Sequence, residues 1–396
     1  MISFDEACRR VAALAAPVGV EQVPLELAWN RVLAAPVIAR VSAPEIAVSA
    51  MDGYAVRDAD LSLGTTRLRV IGETFAGSPS GGSALEPGAC IRIFTGAPMP
   101  SGADRVVMQE IVARDGETIL LAERPTKSRH VRAAASDFRS GEVLLDAGTL
   151  LTPLALVSAA ASDTEALQVH LRPRVALLST GDELVAPGCA GGRPGAIPES
   201  VSFGVAALAQ AWGGEIVYRR CLRDDLPSLV QAAALALEQA HVVVVTGGAS
   251  VGERDFSKAM FRDPGLRLEF DKVAIKPGKP VWVGQVGDRI VVGLPGNPAA
   301  AMVTARLFLA PLLAGMSGRR AGTALAWRTA RVAAPLEAGG DRDGFHRGRS
   351  GPDGVQLLGD QDSSAQKVLA MADLLVRRRP GAHAVEAGGL VEALSF

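Results

Sequence analysis

The run of four valines at residues 242–245 constrains the fold of this chain most strongly. Consecutive β-branched residues are typical of a strand that is buried on both faces, as in a parallel sheet covered by helices. The run ends in the Thr-Gly-Gly triplet 246–248, where glycine permits the positive φ of a turn that points backbone N–H groups at one anion. Ser250 and Asp255 follow this turn. The pattern predicts a phosphate-binding loop beside an acidic group, although a plain structural turn explains this stretch alone equally well.

Two further stretches repeat this pattern in the same third of the chain. Residues 174–178 lead into Ser-Thr-Gly-Asp-Glu at 179–183, and residues 290–294 lead into Pro-Gly-Asn-Pro at 295–298. A helix follows the second stretch, with a predicted apolar face on Met302, Leu307 and Leu309. If the three strands are parallel neighbours, their carboxyl-terminal loops converge on one crevice, where open α/β sheets bind their ligands.

The length, charge and cysteines of the chain limit its class. A chain of 396 residues is long for one hydrophobic core, so two to four domains are expected. A formal net charge of −1 gives no indication of a nucleic acid or strongly anionic membrane as partner. The four cysteines are scattered without metal-ligand spacing, which favours a reducing cytoplasm. The amino-terminal segment predicts an amphipathic helix rather than a signal peptide, and no apolar run reaches membrane-span length.

Lysine is rare in this chain and concentrated in one place. Only six lysines occur against 35 arginines, and three of the six are Lys272, Lys276 and Lys279. An ammonium group is a compact charge on a thin stem, and it fits where a guanidinium does not. The cluster predicts a crowded anion site, with chance placement on the surface as the alternative.

The order of predicted elements divides the chain into four domains. Strand and helix alternate from residue 174 to about residue 315, which predicts a doubly wound α/β domain. Helices are predicted at 4–15, 26–34, 154–161, 200–212 and 226–240. Strands outside the α/β domain are predicted at 54–56, 68–71, 89–94, 105–109, 118–121, 327–333, 343–349, 355–358, 373–377 and 390–394. The fold class is multidomain α/β plus β: an N-terminal mixed domain (1–45 and 136–171), an inserted small β domain (46–135), the α/β domain (172–318) and a C-terminal β domain (319–396).

From spacing alone, three polar residues have a simple structural interpretation, and for one of them metal binding is equally possible. Asp52 precedes a glycine in what is most simply an Asp-Gly turn. Asp224 lies where a strand ends and a helix begins, so a carboxylate there either caps the helix or binds a metal. Arg347 is most simply a solvated charge on a strand of the C-terminal domain.

Seven motifs stand out along the chain: SAMDGYA from Ser49, TGAPMPSGAD from Thr95, VMQE from Val107, STGDEL from Ser179, TGGASVGERD from Thr246, KPGKP from Lys276 and GLPGNP from Gly293. Together these motifs resemble the molybdopterin molybdenumtransferase family, which comprises bacterial MoeA and the E domain of gephyrin. They occur in the order and approximate spacing of that family, and the resemblance covers essentially the whole chain. It also implies that the α/β domain is of the MogA type.

The resemblance implies a reaction and an assembly. The family inserts molybdenum from molybdate into adenylylated molybdopterin and releases AMP, with Mg²⁺ as the usual divalent ion. It works as an elongated homodimer whose site lies between the α/β domain of one subunit and the first two domains of the other. On this basis the partners expected here are molybdopterin adenylate, molybdate and a second copy of the chain.

The family's site residues transfer to this sequence motif by motif. The resemblance implies catalytic roles for Asp52, Thr95, Asp255, Lys272 and Lys276, and Mg²⁺ ligation by Glu183, Asp224 and Asp255. It implies binding of the pterin nucleotide by Ser179, Thr180, Gly181, Thr246, Gly247, Gly248, Ser250, Lys279, Pro295, Gly296, Asn297, Arg347 and Ser363. Backbone N–H groups at the glycine turns would hold the pyrophosphate, and the lysines would neutralise phosphate and molybdate.

The sequence departs from the family pattern in two places. Pro-Glu-Ser-Val at 198–201 lacks the asparagine of an Asp-Ser-Asn-like element, and Gln-Asp-Ser-Ser at 361–364 is a degenerate Gln-Gly-Ser segment.

Two other functions stay open as alternatives. One is adenylyl transfer from ATP to molybdopterin by a related α/β domain, and the other is a non-catalytic binding scaffold.

Overall fold

The computed structural model describes residues 1–61, 66–79, 84–122, 125, 127–247 and 256–396, and a six-stranded sheet lies at its centre. The strands of this sheet, numbered along the chain, are β1 (Arg174–Thr180), β2 (Glu215–Leu222), β3 (Val242–Thr246), β4 (Arg267–Phe270), β5 (Trp282–Val286) and β6 (Arg289–Leu294). Their order across the sheet is β2, β1, β3, β6, β5, β4. Strands β1, β3 and β6 are therefore parallel neighbours, as the three glycine-terminated stretches predict.

The far edge of the sheet is antiparallel, which the alternation of elements does not reveal. Strand β5 pairs antiparallel with β6, and β4 pairs antiparallel with β5. The reason is the two-residue connection Gly287-Asp288, whose glycine has φ +58°. A glycine with positive φ is typical of the tight turn that joins a β-hairpin.

Helices cover both faces of the central sheet, which confirms the doubly wound class. One face packs against Val201–Ala211 and Pro298–Met316, and the other packs against Leu226–Gln239 and Phe256–Ala259. All five residues of β3 are buried, as expected for a strand between two helical layers. The sheet thus separates two hydrophobic cores.

The helix Pro298–Met316 is long and apolar enough to cross a membrane by length and composition, but 94% of it is buried inside the protein. The prediction of one apolar face on Met302, Leu307 and Leu309 is therefore incomplete, because the helix is buried on nearly all sides. Residues Ala305–Leu309 form a π-helical segment, and its Arg306 is buried. Its guanidinium donates to the carbonyls of Ser395 and Ala324, so a charged residue is tolerated inside this helix.

The amino-terminal helix Phe4–Leu14 belongs spatially to the central domain and not to the region that follows it in sequence. Phe4 makes edge contacts with Phe308 of the buried helix and with Phe345 and Trp327 of the C-terminal domain. Residue Ile2 also bridges to Val273. Sequence periodicity reports that a helix is amphipathic, but not which domain covers its apolar face.

The predicted helix at 26–34 is wrong. Only Leu25–Leu27 forms a 3-10 turn, and Asn30 has φ +61°, which a continuing right-handed helix does not allow. The apolar residues of this stretch pack in a small core of their own, together with Val20–Pro24, Ala166–His170 and the helix Pro153–Ala161. Short strands Val37–Ile38 and Val143–Leu145 pair beside them. The chain thus returns to this region with the strand Val143–Leu145.

The small β domain consists mainly of a six-stranded sheet. Its strands, in spatial order, are Arg105–Met108, Gly53–Val56, Ala89–Ile93, Thr66–Thr74, Thr118–Leu121 and Ala113–Asp115. The short strands Val48–Ser49 and Val131–Arg132 pair where the chain enters and leaves this domain. The predicted strands coincide with the observed ones to within a few residues.

The C-terminal domain is built on a sheet that includes one strand from the lysine cluster. Its members are Ile275–Lys276, Asp343–Gly351, Gly354–Leu357, Leu374–Arg378, Leu390–Ser395 and Arg328–Arg331. Ile275–Lys276 pairs in parallel with Asp343 and Gly344 at the edge of this sheet. The pairing joins the central and C-terminal domains beside Lys276. A short helix, Gln366–Leu369, follows the loop after Gly354–Leu357.

Substitution Phe4→Ala should lower the free energy of unfolding by about 3 to 5 kcal/mol, because it leaves a cavity between three aromatic rings. Urea unfolding followed by circular dichroism measures this change. Arg9→Ala is the matched control, since Arg9 lies on the exposed side of the same helix and should change stability by less than about 1 kcal/mol. Equal effects of the two substitutions would contradict the docking of Phe4.

Candidate functional site

A cavity of about 560 Å³ lies at the carboxyl ends of β1, β3 and β6. The loops after all three strands contribute to it, so the predicted crevice exists. The predicted site residues that line it are Thr180, Gly181, Glu183, Asp224, Thr246, Gly247, Pro295, Gly296 and Asn297. The remaining wall comes from residues 197–201, Leu184, Pro280, Pro298, Ser364 and Gln366. We refer to this space as the first cavity.

Close approach of the loops explains the glycine after β3. Gly247 has φ +97°, and a Cβ there would lie 2.3 Å from the carbonyl oxygen of Thr180. A larger residue would push the β1 and β3 loops apart. Behind these loops, the Thr246 hydroxyl donates to the Ser179 hydroxyl over 3.1 Å. Ser179 is buried and supports the wall without being part of it.

Two of the predicted metal ligands reach the first cavity from different loops. Glu183 follows β1, and Asp224 follows β2. The helix cap that the sequence allows at Asp224 is made by its neighbour instead. Asp225 is the helix cap, since its carboxylate accepts from the backbone N–H and hydroxyl of Ser228, and these bonds lower its pKa. Asp224, in contrast, faces the cavity.

The carboxylates suit a Mg²⁺ ion that keeps part of its water shell. Mg²⁺ is commonly bound through one or two carboxylates together with water and phosphate oxygens. Across the described ranges, no group of three His, Cys, Asp or Glu side chains is close enough to form a full protein cage. Glu183 and Asp224 would thus hold the ion in combination with a substrate phosphate. Asp255, the third predicted ligand, lies outside the described residues.

A second cavity of about 570 Å³ adjoins the first and shares Pro280, Pro295 and Asn297 with it. Lys276 and Lys279 line this cavity, as do Arg342 and His346 from the C-terminal domain. Burial, together with the charges of Arg378, Lys276 and Arg347, lowers the pKa of His346. The cationic lining is suited to binding an anion.

A loop of the C-terminal domain separates the two cavities. Ser363 lines the second cavity, whereas its neighbour Ser364 lines the first. The carbonyl of Ser363 accepts hydrogen bonds from Ala299 and Ala300 at the start of the buried helix, and its hydroxyl accepts from Asn297 over 2.9 Å. The loop is thereby fixed to the α/β domain.

Arg347 is fully buried behind this loop and lines neither cavity. Its Nη2 donates to the carbonyls of Asp360 and Asp362 at 3.1 and 3.0 Å. The simple expectation of a solvated charge is therefore wrong. In this structure Arg347 supports the loop that separates the cavities.

Asp52 and Thr95 contact each other in the small β domain. Asp52 immediately precedes the strand Gly53–Val56, and Thr95 lies two residues after Ala89–Ile93, the strand that pairs with it. Gly53 is required between them, because a Cβ there would lie 2.0 Å from the Val107 carbonyl oxygen. One oxygen of Asp52 accepts from the Thr95 backbone N–H at 2.7 Å and from its hydroxyl at 2.9 Å.

These contacts determine the charge state of Asp52. The backbone bond from Thr95 is the main cause that lowers the Asp52 pKa, followed by the hydroxyl bond, with a smaller effect from Arg92. The carboxylate is exposed and anionic at neutral pH. Neither Asp52 nor Thr95 lines the two cavities of its own chain.

The remaining predicted site residues line neither cavity or lie outside the described residues. Lys272 lines neither cavity, and its carbonyl accepts from the Ile2 backbone N–H. Gly248 and Ser250 lie outside the described residues, as does Asp255.

Several lining residues were not predicted from sequence. Glu199 is buried at the first cavity, where its carboxylate accepts from the Ser202 backbone N–H and hydroxyl. It thereby caps the helix Val201–Ala211. A carboxylate three residues before a serine at a helix start is a recognisable sequence signal of this capping. In contrast, nothing local in the sequence indicates that Arg342, His346 or Gln366 meets the site.

The comparisons with known proteins agree with this architecture. Residues 2–162 match a family described as "MoeA N-terminal region (domain I and II)", and residues 176–315 match one described as "Probable molybdopterin binding domain". A molybdopterin molybdenumtransferase from Haemophilus influenzae is 36% identical over 325 residues, which cover 81% of this chain and 79% of that protein. The chain belongs to the molybdopterin molybdenumtransferase family.

Other members of the molybdopterin molybdenumtransferase family give the same result. Molybdopterin molybdenumtransferase 2 of Mycobacterium tuberculosis is 35% identical over 79% of each chain. A solved molybdopterin biosynthesis MoeA protein from Pyrococcus horikosii superposes with a TM-score of 0.82 at 28% identity, over 100% of this chain and 99% of that one. The multidomain arrangement is therefore that of this molybdenumtransferase family.

Substitution Thr95→Val should raise the pKa of Asp52, because it removes the hydroxyl donor and keeps the backbone donor and the side-chain shape. A carbon-13 NMR titration of the aspartate side chains measures the change. The pKa of Asp225, which Ser228 holds low, should stay constant as the internal control. An unchanged Asp52 pKa would show that the Thr95 hydroxyl does not stabilise the carboxylate.

Proposed function

We propose that this chain transfers molybdenum to molybdopterin, as the names of its relatives state for those proteins, and that its immediate substrates are adenylylated molybdopterin and molybdate. The observation that supports this proposal is the pair of adjoining cavities. One has glycine turns and carboxylates, and the other has two lysines. A nucleotide anhydride and a separate oxyanion require two such neighbouring environments.

The first cavity suits the pyrophosphate of the adenylate. Backbone N–H groups at strand-to-loop turns bind phosphate oxygens without a counter-charge. The loops at Gly247 and Gly296 offer such groups next to each other, since a Cβ on Gly296 would lie 3.4 Å from the Gly247 Cα. Glu183 and Asp224 would hold Mg²⁺ beside these oxygens. The ion, when bound, would polarise the phosphoryl group whose cleavage releases AMP.

The second cavity suits molybdate, which is a dianion. Lys276 and Lys279 are exposed, and neither has an ion-pair partner in the described part of the chain. Arg342 adds a third cation, which pairs with Asp341 outside the lining at 3.4 Å. The one carboxylate in the lining is that of Asp362, which accepts from the backbone N–H and hydroxyl of Ser364. Positive charge therefore exceeds negative charge around this space.

We further infer that the active assembly is a homodimer. Asp52 and Thr95 form an exposed anionic group that reaches neither cavity of its own chain, so a second copy is needed to bring the group to a cavity. The helix Pro153–Ala161 offers a surface for such contact. Its Leu154 and Val157 are 81% and 68% exposed and are one helical turn apart. Exposed apolar neighbours of this kind are typical of protein interfaces.

Mixing two inactive variants tests both the dimer and the site. Asp52→Ala and Lys276→Ala should each abolish molybdenum transfer while leaving the fold intact, since both side chains are exposed. A mixture of the two variants that is allowed to exchange subunits should recover about a quarter of wild-type activity, because half the dimers are mixed and each has one complete site. Molybdenum cofactor formation measures the recovery.

The control is a chain that has both substitutions, mixed with wild type. In this control mixture, half of the wild-type chains are again in mixed dimers. Both lost groups lie on the variant subunit of each mixed dimer, so each of its two shared sites lacks one group. Absence of recovery in the first mixture, with subunit exchange verified by native mass spectrometry, would contradict a site shared between chains. Activity in either single variant would contradict the role of that residue.

The affinity for molybdate should increase as the pH falls below about 6.5, the ordinary pKa of histidine. The lowered pKa of His346 leaves it neutral at pH 7, so acidification adds a positive charge to the second cavity. Isothermal titration of molybdate between pH 7.5 and 5.5 measures this change, with tungstate as a second probe. His346→Gln should make the affinity markedly less dependent on pH. An identical dependence in this variant would assign the proton to another group.

A further inference from the structure

Four planar side chains form a stack in the small β domain. The rings of Phe75 and Phe94 are nearly parallel, with an interplanar angle of 10° and centroids 4.6 Å apart. The guanidinium carbon of Arg92 lies 5.1 Å from the Phe94 centroid and 4.9 Å from the Tyr54 centroid. The stack runs from Tyr54, which is 3% exposed, to Phe75, which is 48% exposed. We call these four residues the aromatic stack.

Strand pairing determines the order of the aromatic stack. The strands Thr66–Thr74 and Ala89–Ile93 are parallel and end level, with Thr74 opposite Ile93. Phe75 and Phe94 are the next residues on each strand, so their rings meet. Tyr54 and Arg92 are direct partners on the neighbouring antiparallel pair. Alternation along Ala89–Ile93 places Arg92 and Phe94 on one face of the sheet.

The backbone around Phe75 is fixed by a short turn. The Phe75 backbone N–H donates to the Ser78 hydroxyl over 3.0 Å, and the Ser78 N–H donates to the Phe75 carbonyl over 3.0 Å. Phe94 covers one face of the Phe75 ring, so the exposed area lies on the rest of that ring. An ordered aromatic ring that keeps half its surface in water has unused stacking capacity.

A polar acceptor adjoins the aromatic stack. Thr95 directly follows Phe94 and binds one oxygen of Asp52. The second oxygen of Asp52 has no hydrogen-bond partner among the residues that the structure describes. Arg92 lies between the ring of Phe94 and the side chain of Gln109, to which it donates. An apolar plane and a free anionic acceptor thus occupy the same edge of the domain.

We propose that Phe75 is a stacking platform for a flat nitrogen heterocycle, the pterin ring of the substrate, and that Asp52 accepts hydrogen bonds from the edge of that ring. The assignment rests on the proposed function, which supplies a substrate with two flat rings, pterin and adenine. The pterin edge presents an amino group beside a ring N–H, and the free oxygen of Asp52 can accept from both donors, because Thr95 occupies only the other oxygen. The adenine edge presents its amino group beside an acceptor nitrogen, which a carboxylate repels. The chemistry of the edge therefore selects the pterin.

A fluorescent variant tests binding without any turnover. In Phe75→Trp, stacking of free pterin should quench the added indole emission in a saturable manner, after subtraction of the wild-type signal from the native tryptophans. AMP should not quench it. Addition of Asp52→Asn should weaken the pterin effect about tenfold, since the amide oxygen is needed for Thr95 and the amide nitrogen then presents a donor to the ring edge. Saturable quenching by AMP alone would overturn the pterin assignment.

Enzyme kinetics test the same platform with the natural substrate. Phe75→Ala should raise KM for adenylylated molybdopterin about tenfold, and Phe75→Leu should raise it less, because leucine keeps apolar area and loses the flat ring. Ile71→Ala is the matched control, as Ile71 is 42% exposed on the same strand and outside the aromatic stack. Its KM should equal that of wild type.

The outcomes separate this proposal from the function on which it rests. Normal molybdenum transfer in wild type, with no pterin quenching and an unchanged KM in Phe75→Ala, overturns the platform and leaves the proposed function intact. Absence of molybdenum transfer in wild type, with saturable pterin quenching, overturns the proposed function and supports the platform. An equal rise in KM for Phe75→Ala and Ile71→Ala also overturns the platform, since it indicates general damage to the sheet.

Discussion

Parallel pairing of β1, β3 and β6 is the constraint on which the site depends. The register places Ser179 opposite Thr246 and Thr246 opposite Leu294, so the three strands end level. Their loops therefore meet at one edge of the sheet, although they are far apart in sequence. Helices on both faces bury β3 completely and prevent its displacement. Loop chemistry becomes a binding site only because this backbone pairing is fixed.

The sequence predicts the elements that have a strong local pattern. Apolar β-branched runs gave the central strands, and a 3.6-residue period gave the helix Val201–Ala211 to within one residue at each end. The prediction of a helix at 26–34 failed, because the apolar residues there have a helical period although Asn30 has a left-handed backbone conformation. Local pattern also could not place Phe4, whose aromatic contacts are with residues more than three hundred positions away. Such long-range contacts leave no periodic signal.

The same limit explains which parts of the site were found. The first cavity is made mainly of residues at strand ends, where glycine and carboxylate patterns are visible in the sequence. The second cavity is assembled from four separate stretches, and the sequence pattern singled out the lysine stretch and the Pro-Gly-Asn-Pro stretch but not the stretch at 342–346. In the sequence, His346 and Arg342 resemble ordinary surface residues. In the structure, the pairing of Ile275–Lys276 with Asp343 and Gly344 places them beside the lysines. Charge complementarity between domains is a property of the tertiary structure.

The C-terminal domain also changes how the α/β domain can bind an anion. The amino terminus of a helix such as Pro298–Met316 usually offers free backbone N–H groups to a phosphate. Here the Ser363 carbonyl accepts from Ala299 and Ala300, so those donors are already used. Under the proposed function, recognition of phosphate would therefore depend on the glycine turns, and recognition of the second oxyanion would depend on the lysines. Because Arg347 supports the Ser363 loop from inside the C-terminal sheet, that domain determines both the boundary between the cavities and the donors left to each.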